Sequence, residues 1–311
     1  MADLTYSTWR ETAATLQLWT QIVGKIRLTQ TPWVNHSRQV PFYVTARGLG
    51  ALPIPIGEEM LEIEFDFVGR RLIVRSSEGE EGSVALKPQT VADFFHAVFD
   101  LLKNMGFAVK IREIPNEIVV PIRCSRDRAH AAYDASAAHR FWRALVQADR
   151  GFKLFRSGFV GKASLVHFFW GSFDLAVTRF SGRRAPLHPG GVPGLPDAVV
   201  REAYSHEVSS AGFWPGNDAF PRAAFYSYAY PEPAGFRRQD DYVRRTFRSG
   251  AWRICPTLRH GRCRAGPRRL AARLPGYDLC GRSGDRRLGP RGVRMPARRS
   301  GTSPSVVRKD I

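Results

Sequence analysis

The sequence has few cysteines, no long apolar run and no signal-peptide pattern. Each of these absences argues against one class of protein. Four of its 311 residues are Cys, and only Cys124 precedes residue 237, so residues 1–236 hold no internal disulfide. Because such a chain suits a reducing compartment, we expect a cytoplasmic location. No segment reaches the roughly 18 consecutive apolar residues of a membrane-spanning helix, and the first residues lack the basic-then-apolar order of a signal peptide. A membrane partner is therefore not expected.

Glutamate is also missing from the last quarter of the chain, where the composition changes abruptly. Residues 1–236 carry 26 Lys and Arg against 23 Asp and Glu, a net charge of +3. Residues 237–311 carry 21 Lys and Arg against five Asp, a net charge of +16, and their basic residues are all Arg except Lys309. This change predicts a globular part over residues 1–236, followed by a disordered, Arg-rich C-terminus.

One interpretation of the Arg-rich segment is an arm that binds nucleic acid. Blocks of like charge often act in this way, and guanidinium groups bind phosphate in a bidentate manner. A zinc site could be sought among the segment's three cysteines and one histidine, but their spacings match no ligand pattern. The residues concerned are Cys255, His260, Cys263 and Cys280. Nucleic acid is thus an expected partner only if this segment is a natural product.

The other interpretation is a shifted reading frame, because Arg, Gly, Pro, Ala and Cys without Glu is what GC-rich DNA encodes out of frame. Leu258 to Arg282 can be back-translated with synonymous codons and read one base later. One permitted result is YDTVAAEPDPDASLLAFLATTYAAA, a Pro/Asp-rich turn followed by an apolar-periodic helix. We favour the shifted frame, which the nucleotide sequence of the gene would test.

Residues 1–125 have the pattern of a first α+β half. Thr8 and Glu11 have capping-box spacing, which predicts a helix that opens at Ser7 or Thr8 and ends before Pro32. Strands are expected at 40–45, 61–67, 72–74 and 83–86, with a hairpin between the second and the third. A second helix is predicted from its cap at Thr90 to Gly106, followed by a strand over 107–111.

Residues 126–236 repeat this plan in part. A helix is predicted over 136–155, followed by strands over 166–180, 204–210 and 225–230. Landmarks recur in the same order, for example Trp9-Arg10 and Trp142-Arg143, or Gly24-Lys25 and Gly161-Lys162. The sequence therefore predicts an α+β fold of mostly antiparallel sheets with flanking helices. Two related α-β-β-β-α halves, the second lacking its last strand and helix, are a further hypothesis.

Polar functional groups are densest in the second half, and they suggest two kinds of site. A metal that activates water could be held by His167, Asp174, His206 or Glu207, which would make the protein a metal-assisted hydrolase. However, no HExxH-like motif fixes the geometry, and adjacent residues such as His206 and Glu207 point to opposite faces of a strand. We therefore assign no metal ligands. The simpler alternative is that His167 and His206 are partly buried within an aromatic-rich sheet.

The leading hypothesis is a small-ligand binding protein with an aromatic-lined cleft. Arg179 or Arg47 could pair with an anionic group of the ligand, and Asn35 and His36 could lie at the same cleft. The competing interpretation is that the aromatic residues only build core. The chain has no GxSxG, P-loop or GxGxxG motif, so neither a reaction nor a cofactor is assigned. The candidate site residues are Asn35, His36, Arg47, His167, Trp170, Asp174, Arg179, His206, Glu207 and Trp214.

Several long stretches of the chain resemble a bacterial family of domains of unknown function, number 5996. They are WRETAATLQLWTQIVGKIRL, VPFYVTARGLGALPIPIG, EIEFDFVGRRL, VHFFWGSFDLAVTRFSGR, REAYSHEVSSAGFWPG and AFYSYAYPEPAGF, which together cover nearly all of residues 6–236. The resemblance implies a cytoplasmic protein and supplies no reaction or catalytic residue. It also implies that the family continues with a strand, a turn and a helix similar to LLAFLQSTY. This chain departs from that pattern at about residues 237–245.

Overall fold

A single antiparallel sheet organises the part of the chain that the computed structural model describes. The described residues are 5–192, 194–233 and, for the backbone only, Arg253–Cys255. All of them belong to one compact unit, Met1–Leu279. The disorder expected for residues 237–311 falls on residues outside the described ones, except for the strand Arg253–Cys255. The expected α+β class, with mostly antiparallel strands, is confirmed.

Four α-helices and eleven strands are found among the described residues. The helices are α1 (Arg10–Gln30), α2 (Val91–Asn104), α3 (Ala135–Ser157) and α4 (Asp197–Ala203). The strands before α3 are β1 (Phe42–Val44), β2 (Gly48–Ala51), β3 (Ile54–Ile56), β4 (Glu59–Asp66), β5 (Arg71–Ser76) and β6 (Glu81–Ala85). The strands after α3 are β7 (His167–Phe169), β8 (Asp174–Arg184), β9 (His206–Trp214), β10 (Ala224–Tyr230) and β11 (Arg253–Cys255).

The order of the strands is β11-β10-β9-β8-β7-β1-β2-β4-β5-β6, and β3 pairs with β4 off this path. Strands β1 and β7 meet in the middle, where Phe42 lies opposite Phe168. From this central pair the strands follow chain order outward on both sides. None of the described helices is both long and apolar enough to cross a bilayer.

Helix α1 is buried over most of its surface and carries a stripe of polar side chains that bind backbone groups of other segments. Gln17, Gln21 and Lys25 are spaced by four residues and therefore lie on one face. Their side-chain nitrogens donate to the carbonyl oxygens of Gly171 (2.6 Å), Asn116 (2.9 Å) and Arg112 (3.1 Å), respectively. The buried polar groups of this stripe thus find partners, as buried polar groups must.

The predicted capping box of α1 is wrong. Trp9 precedes the helix without a side-chain cap, and the Thr8 hydroxyl donates to the carbonyl of Thr5 instead (2.8 Å). The caps of the next helix are confirmed, since the Thr90 side chain accepts from the backbone N–H of Asp93 (3.0 Å). Gly106 follows α2 with a φ of 85°, a left-handed conformation that favours glycine.

Two strand predictions are wrong. Residues 107–111 form no strand, although Phe107 and Val109 are buried. The segment 166–180 is not one strand but contains the hairpin of β7 and β8, with a turn between Phe169 and Asp174. The turn contains Gly171 and Ser172, a turn signal that the surrounding aromatic residues outweighed in the prediction, and Phe173 has a φ of 58°.

The two faces of the sheet pack against different sets of residues. One face holds the main core, in which aromatic side chains of the strands pack against α1, α2 and α3. On the opposite face of β8, β9 and β10 lies a second, smaller cluster. Helix α4 lies against the turn Asn35–Ser37. The second cluster is built from Val208, Tyr226 and Tyr228, with Phe180, Tyr204, Trp214 and Tyr230 packed against it.

Candidate functional site

The strand register gathers polar and aromatic side chains on the face of the sheet opposite α3. Thr178 lies opposite Ser210, which in turn lies opposite Tyr228, so the three side chains share one face. The hydroxyls of Thr178 and Ser210 are 2.6 Å apart and hydrogen-bonded. We call this surface the tyrosine face and define it by Asp174, Thr178, Phe180, Ser210, Tyr226 and Tyr228.

Glycine at position 212 makes room for one of these tyrosines. A Cβ atom on Gly212 would lie 2.1 Å from Cζ of Tyr226, which is closer than two atoms can approach. The Tyr226 ring therefore lies directly over the backbone of β9. From there its hydroxyl donates a hydrogen bond to the carboxylate of Asp174.

Two carboxyl groups form an acidic end of the tyrosine face. Asp174 accepts hydrogen bonds from the hydroxyls of Tyr226 and Ser172, and burial nevertheless raises its pKa. Glu117 reaches the same place from the loop after α2, where its backbone has a φ of 58°. A Cβ atom on Gly171 would lie 2.0 Å from Oε1 of Glu117. Burial, followed by the charge of Asp174, raises the pKa of Glu117 to about 7.

Two histidines and Arg38 form a basic end, and the charge of Arg156, in the last turn of α3, also acts on it. His167 lies opposite Ala176, which is two residues from Asp174 on β8. His167 and Asp174 therefore lie on the same face of the sheet. Burial, then the charges of Arg38, His36 and Arg156, lower the pKa of His167 to about 3. His36 stacks on Phe169 with ring centroids 5.2 Å apart, and burial and Arg38 lower its pKa to about 4.

The arginines of the basic end lack partners of opposite charge. Arg38 lies with its guanidinium carbon 4.6 Å from the centroid of the Phe180 ring. Its Nε atom and that of Arg156 are buried without a hydrogen-bond partner. Within the described ranges neither arginine pairs with a carboxylate. Both side chains are half-buried, and since a buried donor without an acceptor is unfavourable, this arrangement favours the presence of an anion.

Tyrosine side chains connect the two ends. Tyr228 interacts electrostatically with both Asp174 and Arg38, and it shares a hydrogen bond with Tyr204. Tyr204 also stacks on His188, with ring centroids 4.9 Å apart. Asp174, the tyrosines and Arg38 thus form one continuous polar and aromatic surface.

A hydrogen bond joins α4 to the turn that carries His36. The indole N–H of Trp33 donates to a carboxylate oxygen of Glu202 (2.7 Å). Trp33 is 48% exposed, so this contact lies at the surface of the protein.

Only part of the predicted site residues come together. His36, His167 and Asp174 lie at the surface just described, and Trp214 packs against the edge of the tyrosine cluster. Asn35 is exposed in the adjoining turn. Arg179 and the other residues predicted from the sequence lie elsewhere.

The two arginines expected to bind an anion have other roles. Arg179 lies on the α3 side of the sheet, where its guanidinium carbon is 3.3 Å from the centroid of the Phe155 ring and an N–H donates to the Phe155 carbonyl. Arg47 forms an ion pair with Asp66 (2.9 Å). Trp170 is also structural, since its indole N–H donates to the carbonyl of Val40 (3.1 Å).

The four residues considered as metal ligands do not converge. His206 is exposed at the start of β9, and Glu207 accepts from Ser181 (2.8 Å) and pairs with Arg183 (2.6 Å). His167 and Asp174 lie on the tyrosine face. No group of three or more His, Cys, Asp or Glu side chains in the described part of the chain is arranged to hold a metal ion.

Sequence reasoning missed the residues that complete the site. Arg38, Arg156 and Glu117 follow no motif, and two of them lie in loops, where periodicity gives no information. The signal that could have marked Arg38 is its place two residues after His36, in a segment with few acidic residues. Glu117 gave no such signal.

A separate open depression of about 350 Å³ lies at the start of α3. The carboxylate of Asp134 already accepts from the backbone N–H of Ser136 there (2.8 Å), so the helix end is capped. None of the predicted site residues lines it. Its walls are formed by Phe67, Val68, Arg70, Ala135, Ser136, His139 and Arg140.

Comparison with known proteins identifies a family but no activity. A family model described as a family of unknown function (DUF5996) matches residues 1–249. No curated protein and no solved structure matches the chain. The match ends at residue 249, in agreement with the departure from the family pattern that the sequence predicts in the Arg-rich segment.

Proposed function

Because this chain belongs to the DUF5996 family, whose function is unknown, we propose its function from its own geometry. It binds a small anionic ligand, a phosphate or a carboxylate, at the basic end of the tyrosine face. The observation that carries this proposal is the pair of buried Nε–H groups of Arg38 and Arg156, which have no partner among the described residues.

Electrostatics explains why an anion suits this place. Arg38 and Arg156 both act on His167, a side chain that is only 4% exposed and stays neutral. Both arginines disfavour a positive charge on His167, and an anion bound beside them would offset their charge. Guanidinium groups bind phosphate and carboxylate through paired hydrogen bonds, and the rings of Phe169, Phe180 and Tyr204 supply apolar walls.

The proposal keeps the aromatic-lined cleft expected from the sequence and replaces its anion-binding residues. Arg38 and Arg156 take the place of Arg47, which pairs with Asp66, and of Arg179. The Nε of Arg179 also lacks a partner, but this side chain lies on the α3 side of the sheet, where an N–H donates to the Phe155 carbonyl. The metal-assisted hydrolase has no supporting observation. Nucleic-acid binding by residues 237–311 falls outside the described residues and stays a prediction. A cytoplasmic location is part of the proposal, supported by the free, buried thiol of Cys124.

Titration with inorganic phosphate at constant ionic strength tests the proposal. We expect Arg38→Met and Arg156→Met each to weaken phosphate binding about tenfold or more, because each removes a charge-assisted contact. Arg128→Met is the matched control, because the Arg128 side chain is 73% exposed. This variant should bind phosphate as the wild type does. The Arg-rich segment attracts phosphate as well, so the residual binding of the double variant measures that background. Equal affinities of the wild type and the double variant would contradict the proposal.

A further inference from the structure

Both ends of the tyrosine face hold side chains without a partner of opposite charge among the described residues: arginines at the basic end and carboxyl groups at the acidic end. Asp174 is bound by two hydroxyls, and neither Asp174 nor Glu117 pairs with a Lys or Arg side chain among the described residues. Two buried carboxyl groups close to each other raise one another's pKa, and a cation placed between them would stabilise both carboxylates. Ionisable groups of both signs that form no ion pair among the described residues thus lie at the two ends of one surface.

We propose that the ligand is a zwitterion, with its anionic group at Arg38 and Arg156 and an ammonium or guanidinium group at Asp174 and Glu117. This inference rests on the proposed function, because the anionic group is the one described there. It adds the second charged group of the ligand and the residues that bind it.

The unpartnered side chain of His167 supports a ligand that spans the region between the two ends. His167 is only 4% exposed, and its ring nitrogens have no hydrogen-bond partner among the described residues; the ring contacts are with Tyr43 and Phe169. A neutral imidazole carries one donor and one acceptor, which a polar ligand can satisfy. Because His167 lies on the same face as Asp174, a ligand that satisfies its ring nitrogens would lie at the tyrosine face.

The strand geometry limits the distance between the two charges of the ligand. Phe180, over which Arg38 lies, follows Asp174 by six residues on β8, about 20 Å along a strand at ~3.3 Å per residue. Tyr228 lies between the two ends, since it interacts electrostatically with both Asp174 and Arg38. The charged groups of the ligand are therefore separated by less than this distance along the strand. The two charged groups of an α-amino acid are bonded to one carbon and cannot reach both ends, whereas those of an ω-amino acid or a short peptide can.

Tyrosine rings suit the middle and the cationic end of such a ligand. Tyr226 and Tyr228 have ring centroids 6.4 Å apart and stack nearly parallel. Their apolar faces can cover a methylene chain, and an ammonium group near a ring face gains a cation–π attraction. The hydroxyl group of Tyr226 meanwhile keeps Asp174 in position.

Calorimetry with matched pairs of ligands tests the inference. The ligands are unbranched ω-amino acids of three to eight carbons, and each is compared with the monocarboxylic acid of the same length. For at least one length we expect the ω-amino acid to bind the wild-type protein tenfold or more tightly than its partner. In Glu117→Gln the affinity of that ω-amino acid should fall toward that of the monocarboxylate. Glu113→Gln, in the same loop, is the control and should retain the difference.

A proton count gives a second readout that does not depend on folding of a variant. At pH 6 the Glu117 carboxyl is largely protonated because its pKa is about 7, and the titratable group that faces it is Asp174. An ammonium group stabilises the carboxylate, so binding should release up to one proton. Titration of the ω-amino acid in MES and in imidazole buffer, which have different ionisation enthalpies, measures this release.

The outcomes separate the inference from the proposed function. If no ω-amino acid binds more tightly than its monocarboxylate, the inference is wrong, although binding of monocarboxylates that depends on Arg38 would still support an anion site. If neither kind of ligand responds to Arg38→Met, the anion site itself is wrong and the inference fails with it.

Discussion

Buried charged side chains in this protein fall into two groups that differ in how they are compensated. Lys25 and Arg27 donate to backbone carbonyls, and Asp66 pairs with an arginine. By contrast, the side chains of Arg38 and Glu117 form neither an ion pair nor a hydrogen bond with the described residues. The first group is explained by folding alone. The second group is the physical basis for assigning a ligand to the tyrosine face.

Asp66 provides a test of the first group. Its carboxylate is 1% exposed, pairs with Arg47 (2.9 Å) and accepts from the backbone N–H groups of Val68 (3.0 Å) and Gly69 (2.8 Å). We expect Asp66→Asn to lower the free energy of unfolding by about 2–4 kcal/mol, because it breaks a buried charged network. Urea unfolding measures this change. Arg47→Met, which alters a half-exposed partner, should have a smaller effect, and the reverse order would contradict this account.

Histidine burial predicts how stability depends on pH. The pKa values of His36 and His167 are lowered to about 4 and about 3, so both rings of the folded protein stay neutral from pH 6.5 down to about pH 4. The unfolded chain takes up these protons, and stability therefore falls as the pH decreases from 6.5 to 4. Each histidine contributes up to about 1.4 kcal/mol per pH unit. Urea unfolding between pH 7 and pH 4 should show a shallower loss in His167→Phe than in the wild type.

Glu117 acts in the opposite direction over part of the same range. Its pKa in the folded protein, about 7, lies above the ordinary 4.5, so its contribution is fully present below pH 4.5 and is lost as the pH rises through 7. Removing the group should therefore leave the histidine effect unopposed. We expect Glu117→Gln to lose stability more steeply than the wild type between pH 6.5 and 4.5. An unchanged slope would show that Glu117 titrates normally.

At the scale of elements, the sequence predicted best where the signal is local. The hairpin of β4 and β5 follows from strict alternation, and α2 follows from a cap, an apolar stripe and Gly106. The hairpin of β7 and β8 was missed although its turn contains Gly171 and Ser172, because the aromatic residues on both sides read as one continuous strand. The site depends on Arg38 and Glu117, which only the tertiary structure brings to the same face. Local sequence patterns contain no information about that approach.

The contact between α1 and the turn after β7 can be tested at Gly24. A Cβ atom there would lie 2.3 Å from Nε1 of Trp170, a rigid and nearly buried ring. We expect Gly24→Ala to lower the free energy of unfolding by about 1–3 kcal/mol, because the ring must move and its hydrogen bond to Val40 is strained. Gly151→Ala in α3 is the matched control, since nothing lies within 4 Å of its Cβ position. It should raise stability by about 0.5–1 kcal/mol through helix propensity, and a loss there equal to that at Gly24 would argue against the packing explanation.

At the scale of the whole molecule, the sheet order supports the hypothesis of two related halves. In each half a long helix precedes a strand at the centre of the sheet, and the later strands follow outward. The sequence landmarks do not occupy equivalent places, since Trp9 precedes α1 whereas Trp142 lies within α3. The similarity therefore concerns the order of elements rather than particular residues. The duplication stays a prediction, which superposition of the two halves in an experimental structure would test.

The comparison of the halves leads to a prediction about the C-terminus. In the first half α2 follows the last strand and buries Phe94, Val98 and Leu102 against the sheet. The shifted frame of Leu258 to Arg282 permits an apolar helix, LLAFLATTY, at the corresponding place in the second half. If the gene carries this frame, we expect a chain with the frame restored to be more stable by several kcal/mol, on the order of 3, because two or more large side chains become buried.

Sequencing of the gene tests for the shifted frame. Thermal unfolding of the present chain and of the frame-restored chain measures the difference in stability. The control is the frame-restored chain in which the apolar residues of LLAFLATTY are changed to Ser. It should show no gain in stability. A stop codon in the alternative frame would exclude the frameshift. In that case the Arg-rich segment would be a selected part of the protein, and steeply salt-dependent binding of nucleic acid, lost when the chain is cut after residue 236, would be the expected property. The two explanations thus differ in a measurable way, because only one of them makes residues 237–311 a source of affinity.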